Sequence, residues 1–329
     1  MMNVQLKGSG YGPLTLIGEG RFSMVYKTKN LQTNEQYAVK VISPNPKIPE
    51  PSVALYREIQ ALSVSSHPNI VKLHEVIQNS PNLSLVMEYL PYNLTQVVQL
   101  PYVPESIVKG IMLMLLRGLS HLHELGIIHR DIKPANLLMN NKGVLKICDL
   151  GLSRILPEKL IGIGTGSSNI TDETHSWTLQ VGTSFYRAPE LLLGDRGYGE
   201  AIDIWSVGCV MAELLNGKPL FPGQGDLEQL GFITNLLGSP DETRWPGFSQ
   251  LSDFGQIVFK QKEPQDMHKA FPNWSEPAVD LLSKFIVYEP GRRISARDAM
   301  NHNWFFCEPV PMIAPFDGNS FNLLEGNYI

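Results

Sequence analysis

Cysteine is scarce: Cys148, Cys209 and Cys307 are the only three in 329 residues. Their spacing fits no zinc pattern and three thiols cannot all pair, so reduced thiols are expected rather than a disulfide framework. A long apolar run is also missing. A membrane span needs about 18 apolar residues in succession, and the nearest approach is the short stretch Ile111 to Leu116. The opening residues, Met1 to Tyr11, are polar and Gly-rich and lack the apolar core of a signal peptide. Positive charge is in deficit, 27 Lys and Arg against 32 Asp and Glu for a net −5, which speaks against a nucleic-acid partner. The expectation is a cytoplasmic chain with no membrane span. Hydrophobic residues at 43% and charged residues at 18% suffice for a packed core, in one large domain or two small ones.

One stretch is dense in chemistry: His129-Arg130-Asp131-Ile132-Lys133-Pro134-Ala135-Asn136. It sets an acid, a cation and an amide within six residues. Asp131 is suited to accept a proton from a hydroxyl, Lys133 to hold a transferring phosphoryl group, and Asn136 to hold a metal ion. The pattern H-R-D-x-K-x-x-N resembles the catalytic loop of protein kinases. If the likeness is real, the other parts of a phosphoryl-transfer site should follow in order.

They do. Leu14 to Ile17 and Met24 to Tyr26 read as strands around Gly18-Glu19-Gly20, a hairpin whose backbone can cover phosphates. The third glycine of that motif is missing, and Ser23 stands there. Tyr37-Ala38-Val39-Lys40-Val41 is the next strand. The resemblance implies that Lys40 reaches the α- and β-phosphates of ATP. Four prolines between 44 and 51 read as a loop. A helix follows, with Leu55, Ile59 and Leu62 on one apolar face. The resemblance makes Glu58 the partner that holds Lys40 by an ion pair. The stretch Pro51 to Ile59 also resembles the cyclin-recognising helix of cyclin-dependent kinases, with one residue more.

Strand-like runs at Ile70–Val76 and Leu83–Glu88 lead to a break at Tyr89-Leu90-Pro91-Tyr92-Asn93, which the family frame makes a hinge. Backbone groups of Glu88 and Leu90 would then meet the adenine edge, Met87 would lie behind it and Asn93 would meet the ribose. Ile17, Val25, Ala38 and Leu138 would sandwich the ring. Apolar spacing from Pro104 to Leu125 predicts one long helix, and Asn140-Asn141-Lys142-Gly143 a hairpin turn.

Asp149-Leu150-Gly151 lacks the usual central phenylalanine but keeps the carboxylate. Asp149 with Asn136 supplies oxygen ligands for Mg²⁺. Ala188-Pro189-Glu190 closes a long segment whose extra length falls in Lys159 to Trp177, read as a mobile surface insertion. Counting back, Thr183 matches the threonine that braces the catalytic loop and Thr178 the activating phosphothreonine. Arg57, Arg130 and Arg154 are the guanidinium groups that would meet its phosphate. An upstream activating kinase is implied. Arg187 resembles the residue that goes with a pocket for proline after the target Ser or Thr, so protein substrates with Ser/Thr-Pro sites are expected. Asp203 is expected to bond the catalytic-loop backbone, and Glu190 to pair with Arg293. The Pro-, Gly- and aromatic-rich stretch from Leu237 to about Phe271 reads as an insertion with a docking surface.

The likeness covers roughly residues 14–306 and implies an α+β, bilobal protein kinase fold: extension 1–13, small β-rich N-lobe 14–88, hinge 89–93, helical C-lobe 94–306 and an irregular tail 307–329. The chain is identified as a member of the cyclin-dependent kinase-like group. Within it, Leu94-Thr95-Gln96-Val97-Val98, the stretch from Glu213 through Leu230 and Asn303-Trp304-Phe305-Phe306 look like the cell cycle-related kinase branch. That branch is associated with cilia and with phosphorylating the activation loops of other kinases, so cilium and nucleus join the cytoplasm as expected locations. A cyclin-like activator is an implied partner. Arg21-Phe22 replace the Thr-Tyr pair that restrains cell-cycle kinases. The competing reading is a pseudokinase scaffold, resting on Ser23 and Leu150.

Overall fold

A computed structural model describes residues 10–20, 23–42, 53–79, 82–156 and 184–329. Its N-terminal part is a five-stranded antiparallel sheet. The strands are β1 (Thr15–Glu19), β2 (Ser23–Lys29), β3 (Gln36–Ile42), β4 (Leu73–Asn79) and β5 (Asn82–Glu88), in the order β1-β2-β3-β5-β4. Helix α1 (Val53–Val64) lies between β3 and β4 in sequence.

Side chains alternate across a strand, and here the two faces do different work. Tyr26, Val39, Val41 and Val86 are buried together on one face. Ala38 and Lys40, one residue out of phase with Val39 and Val41, belong to the other. The register sets Val25 and Leu85 opposite Lys40, and Met87 opposite Ala38. A one-residue slip would send Lys40 into the wrong face. β1 carries a bulge between Leu16 and Gly18, which leaves Ile17 out of the ladder and re-aims it, a common device beside sites.

After β5 come β6 (Tyr92–Asn93), α2 (Leu94–Val98), α3 (Glu105–Glu124), β7 (Ile127–Ile128), β8 (Leu137–Met139), β9 (Leu145–Ile147) and β10 (Arg154–Ile155). β6, β8 and β9 make a three-stranded sheet and β7 pairs with β10. The helical part continues with α4 (Pro189–Leu192), α5 (Ala201–Asn216), α6 (Asp226–Leu237), α7 (Met267–Ala270), α8 (Glu276–Phe285) and α9 (Ala296–Ala299). The long apolar pattern ending near Leu125 is α3, buried along most of its length. α5 is buried on nearly every side. It runs so close to α8 that a Cβ on Gly208 would come within 2.7 Å of Phe285 Cβ.

One expectation is overturned. Residues 307–329 are not an irregular tail. They hold β11 (Met312–Ile313) paired antiparallel with β12 (Asn327–Tyr328), and Ala314 and Phe316 are buried. The prolines that suggested irregularity interrupt the segment without preventing it from packing.

Candidate active site

The catalytic-loop stretch lies between β7 and β8, and its backbone is tied down from below. Asp203, fully buried on α5, accepts hydrogen bonds from the N–H groups of His129 (Oδ2, 2.8 Å) and Arg130 (Oδ1, 2.8 Å). Arg130 has φ +71°, a left-handed conformation that a non-glycine residue keeps only when its surroundings enforce it. The two bonds to Asp203 supply that enforcement. A third partner, His123 on α3, sits 3.0 Å from Asp203 Oδ2 and 3.2 Å from Glu200. Burial alone would raise the Asp203 carboxyl, but His123, His129 and the Arg130 N–H together outweigh it and hold the group below the usual carboxylate range. Sequence reading missed His123. The signal was there, since it falls one helical step past Leu115 and Leu119 on a buried face, where a polar group needs a partner.

The three chemistry-bearing residues of the loop meet at one carboxylate. Asp131 Oδ2 accepts from Lys133 Nζ at 2.7 Å and from Asn136 Nδ2 at 2.8 Å. Asn136 Nδ2 also donates to the Asp131 carbonyl at 2.8 Å. With its nitrogen so engaged, Asn136 has its side-chain oxygen left for another ligand.

Across from this loop, Lys40 Nζ lies 2.7 and 2.9 Å from the two oxygens of Glu58 and 2.9 Å from Asp149 Oδ1. Burial would lower Lys40, but these two carboxylates outweigh it and raise it above its ordinary value, so the ammonium is firmly charged. Burial would likewise raise Asp149, and Lys40, joined by His129 and Lys133, more than offsets it, leaving an ionised carboxylate. Asp149 is the second non-glycine centre residue in the left-handed region, φ +62°. Next to it Leu150 is completely buried in the helical core, so it fills the apolar place of the missing phenylalanine. A Cβ on Gly151 would press within 3.3 Å of Glu58 and 3.4 Å of Asp149. The oxygens of Asn136 and Asp149 are hard donors of the kind that suits a divalent cation such as Mg²⁺.

The residues expected to sandwich an adenine ring lie on three strands and at the bulge of β1. Ile17 is 46% exposed, while Val25 and Ala38 are half-buried on β2 and β3 and Leu138 is half-buried on β8. Gly18, Glu19 and Gly20 run from the end of β1 into the turn, and Gly20 N–H is bonded to Ser23 C=O at 2.7 Å. Ser23 thus closes the turn with its backbone, a task that needs no glycine. At the hinge, Glu88 N–H is bonded to Lys72 C=O at 3.1 Å, so that donor is already engaged. Among the described residues neither the N–H nor the C=O of Leu90 has a hydrogen-bond partner. Asn93 has a task that sequence reading missed. Its side-chain oxygen caps α2 by accepting from Gln96 N–H at 3.3 Å, and Gln96 returns a bond at 3.0 Å. Only its amide NH₂ is left for a ribose.

The closing segment is bolted to the helices. Tyr186 donates to Glu213 at 2.6 Å, Ser206 to Tyr186 C=O at 2.7 Å, Ser184 to Gly223 C=O at 2.7 Å, and Gln229 to Phe185 C=O at 3.1 Å. Arg187 Nη1 reaches Asp226 at 2.8 Å. Glu190 and Arg293 form a buried two-pronged pair at 2.6 and 2.7 Å, as expected. Of the three arginines assigned to a phosphate, Arg130 and Arg154 converge on the Tyr198 ring at 5.4 and 5.6 Å, and Arg57 lies on α1 beside Glu58. Thr178, Thr183, the 159–177 insertion and Arg21-Phe22 fall outside the described residues.

Comparison with known proteins agrees with this geometry. Residues 11–305 match the family described as "Protein kinase domain". The chain is 42% identical over 306 residues to cyclin-dependent kinase 20 of Danio rerio, covering 92% of this chain and 85% of that one. It is 39% identical to the Homo sapiens protein of the same name, covering 92% and 84%. It is also 38% identical to cyclin-dependent kinase G-1 of Oryza sativa subsp. indica, over 92% of this chain and 43% of that relative. The chain belongs to the protein kinase family, in its cyclin-dependent kinase-like group, and is a serine/threonine protein kinase.

Proposed function

We propose that the chain transfers the terminal phosphoryl group of ATP to Ser or Thr residues followed by proline, with Asp131 as the base. The observation that carries this reading is the assembled charge set: Lys40 held between Glu58 and Asp149, and Asp131 held between Lys133 and Asn136. Phosphoryl transfer has a loose transition state, so orientation and charge neutralisation dominate its catalysis. Lys40 orients the α- and β-phosphates under the Gly18–Gly20 turn. The bonds from Lys133 and Asn136 fix the Asp131 carboxylate, which orients the substrate hydroxyl and receives its proton. Lys133 then also offsets charge on the moving group. Asn136 and Asp149 would hold Mg²⁺, which when bound supplies positive charge to the phosphates.

Proline direction rests on Arg187, pinned to Asp226 at 2.8 Å. A residue with no N–H suits a pocket that offers that group no acceptor. Activation rests on Thr178, for which Arg130 and Arg154 face one ring on the catalytic side. A phosphate there would gain charge-assisted bonds and order its segment. An upstream kinase would add that phosphate, and Thr183 would brace the loop carrying Asp131. A cyclin-like activator would dock on α1. The resemblance of Leu94–Val98 and Asn303–Phe306 to the cell cycle-related kinase branch extends the reading to other kinases as substrates and to the cilium, nucleus and cytoplasm as locations. No helix among the described residues is long and apolar enough to cross a membrane.

The activation reading is tested by Thr178→Ala. Phosphotransfer to a Ser-Pro peptide should fall sharply in the variant, and near-normal activity without a substitute phosphosite sinks it. No observation favours the scaffold alternative, since Ser23 and Leu150 each keep their structural task.

A further inference from the structure

We propose that residues 307–329 form a strap that sets the hinge, with Phe316 as a positioning residue for the nucleotide. The inference rests on the assignment of residues 89–93 as the nucleotide hinge. The strap is anchored at its start by Lys109, whose ammonium is wholly buried and donates to the carbonyls of Cys307 and Pro309, each at 2.8 Å. It then presses on α3 so tightly that a Cβ on Gly110 would overlap the Met312 carbonyl. Next it crosses the β8–β9 turn, where Phe316 N–H donates to Asn141 C=O at 3.2 Å and a Cβ on Gly143 would overlap the Ala314 carbonyl.

Its middle meets the hinge. Phe316 is 1% exposed, and its ring stands edge-on to Tyr92 of β6 with centroids 5.1 Å apart. Tyr92 is the neighbour of Asn93, and the two pair with Met139 and Leu138 of β8. The strap holds its own shape at this point. Phe316 and Phe321 form a bridge with rings 4.7 Å apart, and Asp317 accepts from the N–H groups of Asn319 and Ser320 at 2.8 Å. Gly318 has φ +100°, and a Cβ there would sit 2.9 Å from the Tyr92 ring. A two-residue strand has little ladder of its own. A rigid aromatic contact at Tyr92 therefore restricts the strand that carries the cap at Asn93 and that pairs, through Asn93, with Leu138 of β8. Loosening that contact reduces the fraction of molecules with a binding-ready hinge, and apparent affinity falls by the same fraction.

The test measures KM for ATP, KM for peptide, kcat and melting temperature in wild type, Phe316→Ala, Phe316→Leu, Gly318→Ala and Leu324→Ala. If the competent fraction drops to about one fifth, Phe316→Ala raises KM for ATP about fivefold. Peptide KM and kcat stay within about twofold, and Phe316→Leu recovers most of the loss. Gly318→Ala pushes on Tyr92 without emptying the site and moves KM for ATP in the same direction, which keeps the proposal falsifiable if Phe316→Ala does not fold. Leu324, 99% exposed, serves as the silent control. A lowered melting temperature with unchanged KM for ATP in Phe316→Ala and Gly318→Ala, in an active wild type, overturns the strap alone. A wild type that binds no ATP overturns the hinge assignment and the strap with it.

Discussion

Asp203 never touches a reacting group, yet the position of Asp131 depends on it. Its two oxygens hold the His129 and Arg130 N–H groups, and the second bond stabilises a strained φ. Asp203→Asn should lower kcat by about 10-fold or more, because a small misplacement of the base is costly in rate. It should also destabilise the fold by about 1–3 kcal/mol by leaving a buried donor unmatched. The pH dependence has a definite sign. The folded-state carboxyl is depressed, so its stabilisation is complete above the unfolded-state value near about 3.9 and is lost as pH falls through the folded value. The stability gap between wild type and Asp203→Asn, measured by denaturant titration, should therefore be widest near neutrality and narrow below about pH 4. The chemistry-bearing residues were legible because spacing identifies them: Asp131, Lys133 and Asn136 sit in one short pattern, and Lys40 stands out as a charge among strand formers. Their second tasks were less so. Asn93 and Gln96 have the three-residue spacing of a capping box, a local signal that a ribose role obscured, whereas nothing local says that His123 would complete the Asp203 cluster across 80 residues of chain.

At the scale of elements, strands and long helices followed their periodicity, while contacts between distant elements had to be seen. Glu190 and Arg293 illustrate the energetic weight of such a contact. Both are buried, and Arg293 also donates to the carbonyls of Val287, Ala201 and Tyr288. All five guanidinium N–H groups therefore have an acceptor. Removing one partner leaves an uncompensated buried charge. Arg293→Leu should cost about 3–5 kcal/mol, and Arg293→Leu with Glu190→Leu should recover part of it. Chemical denaturation of the single and double variants checks both values. An undiminished single variant would mean that the pair is not what holds α4 against the C-terminal helices. The tail was misread for a related reason. Its prolines argue locally for irregularity, but its burial comes from α3 and the β8–β9 turn, far away in sequence. Gly110 and Gly143 were the accessible hints, small residues where another backbone comes close.

At the scale of the molecule, a sheet that carries Lys40 on one face meets a helical body that holds Asp131 and Asn136 on a clamped loop. α1 and the Asp149–Gly151 turn close the charge set between them. Rate in such a site comes from fixed positions, so the central claim is that these groups, assembled as observed, make a working phosphotransferase. Its most direct test is phosphotransfer from ATP to a Ser/Thr peptide library by wild type and Asp131→Asn, with nucleotide binding measured on both. Wild type should modify sites followed by proline. Asp131→Asn should lose about 10²–10⁴-fold in kcat, the range for a positioned base, while still binding ATP. Equal rates in the two proteins, or no transfer by phosphorylated wild type, would contradict the account.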